Sequence, residues 1–163
     1  MSIEREDQEK YQIAEFTKVT HIPFKSRHTY FRFLNKLTDV IHLTNFIVGL
    51  VKEYDIDLLM CRSSMAGSIG YRVHTKIGIP YTVESFEPHA EYMLESGIWS
   101  QWGISYLLQS YWENMQKRSA DALIPVSFNY KKYLIDHGCK QPIYVMPCVV
   151  YLNLLVYESY PFR

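Results

Sequence analysis

The chain has 163 residues, 48% of them apolar, which is the length of one domain with enough apolar surface for a real core. Lys plus Arg and Asp plus Glu number 17 each, so no net field draws it to nucleic acid or to an anionic membrane, and a small molecule or a protein is the expected partner class. Three cysteines, Cys61, Cys139 and Cys148, without a C-x-x-C pair exclude a disulfide framework and read as reduced thiols, so a cytoplasmic setting is expected.

The opening MSIEREDQEK is charged throughout and reads as neither a signal peptide nor a transit sequence, and no apolar run reaches bilayer-spanning length. Met1 to Glu4 reads as the exit of a clipped first strand. Strand-type residues between Ile13 and Phe24, around VTHI, predict a strand that Pro23 ends. Between Thr29 and Tyr54, the spacing of Phe31, Leu34, Leu37, Ile41, Val48 and Val51 predicts a long helix with one buried face. DLLMC, from Asp57 to Cys61, is short, apolar and continuous, as a strand covered on both faces would be. Ser63 and Ser64 then offer cap oxygens to a helix with Ala66, Ile69, Val73 and Ile77 on one side, ended by Gly78.

The unit repeats. IPYTV, from Ile79 to Val83, predicts a second covered strand, and after a long irregular stretch a helix runs from about Trp102 to Arg118 with Ile104, Leu107, Leu108, Tyr111 and Met115 inward. ALIPV, Ala122 to Val126, is a third strand. Ser127 caps a short helix carrying Phe128, Tyr130 and Leu134, closed by His137 and Gly138, and IYVM, Ile143 to Met146, is the last strand. Alternating strands and helices of this kind predict an α/β fold, a Rossmann-like doubly wound parallel sheet over residues 1–150. The apolar, aromatic stretch from Cys148 to Phe162 has no room for a further layer, so 151–163 reads as an apolar tail or linker remnant that another surface would cover.

In such a fold ligands sit at the carboxyl ends of the strands. VESFEPHAEYMLESG, positions 83 to 97, leaves a strand there, exceeds the usual loop length and holds Glu84, Glu87, His89, Glu91 and Glu95. His89-Ala90-Glu91 with Pro147-Cys148 resembles part of a zinc deaminase signature, yet the second cysteine position is Tyr151, which leaves too few ligands; no metal site is expected. No G-x-G-x-x-G follows a first strand. In SSMAGSIGY, Ser63 to Tyr71, the backbone amides offer an anion site, but Gly67 and Gly70 are better explained by a helix lying close to a sheet. His21, His28, His42, His74 and His137 have no partner at ligand spacing and read as surface or capping residues. Arg72 and Lys76 read as a solvated helix face, and Cys61 as a small buried apolar residue.

Taken in order, YDIDLLMCRSS, GIPYTVESFEPHAEYMLESG, SADALIPVSFNYKKYLIDHG and IYVMPCVV resemble the N-terminal, acceptor-side half of family 4 glycosyltransferases of the GT-B fold, over about Leu34 to Val150. The resemblance implies retaining transfer of a sugar from a nucleotide-sugar donor, itself the substrate with no further cofactor, to a sugar or lipid-linked acceptor, with peripheral membrane contact. It implies that His89 is the catalytic histidine facing the donor sugar, that Ser127 supports the cleft, and that Glu84, Ser85 and Glu87 line the acceptor side, with Ser63 and Ser64 as further contacts. The chain departs from the family in three places. The glycine-rich loop after the first strand is missing, the hinge PNGVD is replaced by Pro147-Cys148-Val149-Val150-Tyr151, and the nucleotide-binding second half is expected to be absent. The isolated chain is therefore expected to be inactive and to need a donor-binding domain in cis or in trans. A non-catalytic binding module, or half of a sugar-nucleotide epimerase, are the other readings.

Overall fold

The computed structural model describes residues 2–4, 20–25 and 32–147. The chain falls into two compact units, one of residues 1–57 and 72–79 and one of residues 58–71 and 80–163.

In the first unit, β1 (Ser2–Glu4) pairs in parallel with β2 (Pro23–Lys25), Ile3 lying opposite Phe24. The sequence places Pro23 at the end of a strand, whereas the strand begins there. A proline has no N–H to give to the ladder, so the first position of a strand suits it. Helix α1 (Arg32–Glu53) follows. Its buried positions are Leu43, Thr44 and Val51, while Ile41, expected inward, is 42% exposed. The buried stripe is shifted because Thr44 is admitted to it. Its hydroxyl donates to the Val40 carbonyl at 2.6 Å, which removes the cost of burying a polar atom. Phe31, Leu34 and Leu37 lie outside the described side chains.

The second unit is an α/β layer. Strands β3 (Leu59–Arg62), β4 (Tyr81–Ser85) and β5 (Ala122–Pro125) form a parallel sheet in the order β3-β4-β5, with Cys61 opposite Val83 and Val83 opposite Leu123. The segment expected as the last strand, Ile143 to Met146, forms no strand but lies beside β5 through a few separate bonds. Leu123 donates to the Pro142 carbonyl, Tyr144 to Leu123 and Met146 to Pro125, and Ile143 makes a parallel bridge to Leu123. The connections carry α2 (Ser64–Ile77), then α3 (His89–Glu95) and α4 (Ile104–Ser119), then α5 (Phe128–Asp136). A parallel pair needs such crossovers, and this is the class that the alternating pattern predicts.

Cys61, Tyr81, Val83 and Leu123 gather with Tyr130 and Leu134 of α5 into the core. Gly67 and Gly70 let α2 approach the sheet, as expected. A Cβ at Gly70 would stand 2.5 Å from the Cys61 sulfur, and one at Gly67 would stand 2.6 Å from the Gln116 side chain and 3.0 Å from Val83.

Two packing expectations are corrected. Strand β3 is covered on one face only, since Cys61 is buried but Met60 on the other face is 60% exposed. On α4, of the five residues predicted inward, Ile104, Leu107, Leu108 and Tyr111 are exposed and Met115 is half-buried, while the buried positions are Gln109, Glu113 and Gln116. The helix turns its polar stripe inward because polar groups of α2 and α3 await it there. The long irregular stretch before α4 also contains α3, which takes up Glu91 and Glu95. Cys148 and the tail 151–163 lie outside the described residues. Among those described, no helix is long and apolar enough to cross a membrane.

Candidate functional site

Because all the strands of the second unit are parallel, their carboxyl ends share one edge. That edge carries the residues singled out from the sequence. Ser63 and Ser64 follow β3, Glu84 and Ser85 end β4, and Ser127 lies beyond the end of β5. The Ser63 N–H donates to the Glu84 carbonyl at 2.7 Å, and the Val126 N–H donates to the Ser85 carbonyl at 3.3 Å, so the three strand exits are tied to one another.

Ser63 has φ of +87°, a left-handed conformation that costs a non-glycine residue about 1–3 kcal/mol and that tends to occur where an element is aimed for use. Its hydroxyl accepts the Ala66 N–H at 3.4 Å, the cap expected of it. The Ser64 hydroxyl points inward and accepts the Gln109 side-chain amide at 2.9 Å. The Ser127 hydroxyl accepts the Tyr130 N–H at 3.1 Å and caps α5. These oxygens are therefore already used by the chain, whatever else they meet.

Glu84 is buried on the side of the sheet opposite Val83. Arg62, its partner in the β3–β4 register, places Nε 3.5 Å from the Glu84 carboxylate and its guanidinium 5.6 Å from the centre of the Phe86 ring. Further out, Glu87 Oε1 lies 3.7 Å from His89 Nδ1, with both side chains partly exposed. The His89 ring meets Trp99 edge on, with centroids 5.6 Å apart and planes at 87°. A carboxylate 3.7 Å from Nδ1 and an aromatic edge against the ring flank this imidazole, so Nε2 is the nitrogen more open to a ligand.

Behind this rim lies a polar interior. Gln109 Nε2 donates to Glu113 Oε1 at 2.9 Å, and Glu113 Oε1 also accepts the Ala90 N–H at 3.2 Å. Gln116 Nε2 donates to the Ser64 carbonyl at 2.8 Å and to the Ser68 hydroxyl at 3.2 Å. Burial raises the Glu113 carboxyl above its ordinary range, although the Gln109 and Ala90 hydrogen bonds and the Lys117 and His89 charges pull the other way. Burial also pushes the Tyr130 phenol up to about 12 despite its bond to Ser85. A cavity of about 20 Å³, room for one water molecule, lies among Ser64, Ser85, Glu113, Gln116 and Tyr130.

Glu113, Gln109, Gln116, Arg62, Trp99 and Tyr130 were not among the candidates read from the sequence. The spacing of Gln109, Glu113 and Gln116 on one helical face was visible, but such a stripe ordinarily faces solvent. Other expectations hold: Cys61 is buried with its thiol pushed up to about 11, as befits an inert core residue, and His137 ends α5. Lys76 is exposed and donates to Asn45 Oδ1 at 2.6 Å. Arg72 departs from a solvated face, because its Nε is buried and has no hydrogen-bond partner among the described residues. Among the described residues no group of three or more His, Cys, Asp or Glu side chains is placed to hold a metal ion. No protein-family model matches the chain, and no curated protein does.

Proposed function

We propose that this chain supplies the acceptor-side, Rossmann-like half of a GT-B glycosyltransferase of the family 4 type, working with a donor-binding domain to move a sugar from a nucleotide-sugar onto an acceptor with retention. The observation that carries this reading is the gathering of Ser63, Ser64, Glu84, Ser85, Glu87, His89 and Ser127 along the carboxyl edge of one parallel sheet. That edge is where open α/β sheets bind their ligands. In this reading His89, flanked by Glu87 and Trp99, presents Nε2 to the donor sugar and stabilises the positive charge that builds at its reacting carbon by hydrogen bonding to the sugar. Glu84, Ser85 and Glu87 hold acceptor hydroxyls, Glu84 exchanging part of its pairing with Arg62 to do so.

The test is transfer measured with the chain joined to the nucleotide-binding domain of a family 4 enzyme. His89→Ala is expected to lower turnover about a hundredfold or more. Unchanged turnover in that variant overturns the assignment. Calorimetry on the chain alone is expected to show no nucleotide-sugar binding, and tight donor binding would remove the need for a second domain.

A non-catalytic binding module on the same scaffold is the second reading. It is favoured by the outward apolar stripe of α4, where Ile104, Leu107 and Tyr111 are each more than half exposed.

A further inference from the structure

Helix α3 begins with a difficulty. Its N-cap is Pro88, which has neither a side-chain acceptor nor a capping hydrogen bond, so the first N–H groups of the helix have no local partner. Ala90 is 2% exposed, so water does not serve its N–H either. The partner comes from 23 residues further along the chain, where Glu113 Oε1 accepts this N–H at 3.2 Å.

Glu113 is itself 6% exposed and is held by Gln109, whose amide nitrogen donates both to Glu113 Oε1 and to the Ser64 hydroxyl, each at 2.9 Å. A continuous set of hydrogen bonds therefore runs from the exit of β3 through α4 to the residue next to His89. Burying a carboxylate works against stability, and a fold that keeps one at such a join has it set where a neighbouring element must be aimed.

We propose that Glu113 is a positioning residue for His89: anchored by Gln109, its carboxylate caps α3 from outside the helix and so fixes where the imidazole stands at the carboxyl edge of the sheet. The part concerning turnover rests on the transferase reading; the capping itself does not. The charged and titratable groups facing Glu113 are His89 on α3, Lys117 on α4, and Tyr130 and Tyr133 on α5.

The experiment uses nuclear magnetic resonance on the full chain, following the Ala90 amide together with the Glu113 carboxyl carbon. In the unmutated chain the two signals are expected to titrate with one midpoint, and separate midpoints overturn the proposal. Glu113→Ala is expected to speed Ala90 amide exchange roughly tenfold or more, whereas Glu113→Gln, which keeps an acceptor oxygen, holds it near the original rate. Equal exchange in all three proteins overturns the capping. In the assembled transferase, Glu113→Ala is expected to lower kcat with little change in KM, with Glu113→Gln restoring much of it. Equal loss in both variants would show that geometry is not what Glu113 supplies. Failure of any assembly to transfer sugar counts against the transferase reading alone, because the amide measurements decide the capping without it.

Discussion

Gln116 on α4 and Ser64 at the start of α2 are joined side chain to backbone. The Gln116 amide nitrogen donates to the Ser64 carbonyl at 2.8 Å and reaches the Ser68 hydroxyl at 3.2 Å. This pairing explains why α4 lies the unexpected way round. Rotating α4 to bury Leu107 and Leu108 instead would also carry Glu113 away from the buried Ala90 N–H, which would then have no acceptor. The gain from covering two leucines would be offset in part by leaving that buried N–H unpaired.

The orientation of α4 can be checked by comparing its two faces. Gln116→Ala is expected to destabilise the chain by about 1–3 kcal/mol, because it removes the hydrogen bonds to the Ser64 carbonyl and the Ser68 hydroxyl and opens a hole beside Gly67. Leu107→Ser, at a position 51% exposed, is expected to change stability by about 0.5 kcal/mol or less. Urea denaturation of the two variants decides the matter, and a larger loss from Leu107→Ser would mean that the apolar stripe is the buried one.

This helix also marks the boundary of what could be read in advance. The α/β class was legible because runs such as ALIPV and IPYTV sit between segments of helical period, and because Gly78 and Ser127 carry local stop and start signals whose physics needs no tertiary context. The same locality made Gly67 and Gly70 readable as a close approach. The faces of α1 and α4 were not readable, because a threonine bonded to its own helix or a glutamine bonded to a neighbouring one can enter a core, and neither partner is visible in a hydrophobic pattern. In the candidate site, topology placed the stretch from Val83 at a strand's carboxyl end, whereas Ser85 and Ser127 entered only through the family resemblance. Glu113 entered by neither route, because its role depends on Ala90, which is distant in sequence and contributes only a backbone N–H.

The glycines give a contrasting pair of substitutions. At Gly70 an added methyl meets the Cys61 sulfur at 2.5 Å and the Tyr81 ring at 3.0 Å, so Gly70→Ala is expected to cost about 1–3 kcal/mol through overpacking. Gly49 lies within α1 and has nothing within 4 Å of such a methyl among the described residues, so Gly49→Ala is expected to stabilise by about 0.5–1 kcal/mol through helix propensity. Pairing Gly70→Ala with Cys61→Ala should recover part of its cost in a double-mutant cycle, because the nearest clashing atom is then removed. Purely additive losses would place the clash somewhere other than the sulfur.

The buried Glu113 carboxyl makes stability depend on pH in the direction opposite to that of a salt-bridged carboxylate. Burial raises its folded value above the ordinary glutamate value of 4.5, so the native chain keeps a proton that the unfolded chain has already released. Below 4.5 the group is protonated in both states and its contribution is fully present. As pH rises from there through the raised folded value, that contribution is lost, because the native chain has to ionise a group shut off from water. Hydrogen bonds from Gln109 and Ala90 and the charges of Lys117 and His89 reduce the loss without reversing it. Glu113→Gln cannot ionise. Its stability relative to the unmutated chain is therefore expected to be constant in acid, to rise as pH increases through this interval, and to level off above it. Denaturation of the two proteins side by side from roughly pH 3 to 8 measures the difference directly. Parallel curves, or an unmutated chain that gains on the variant as pH rises, would show that Glu113 is ionised without penalty in the folded state.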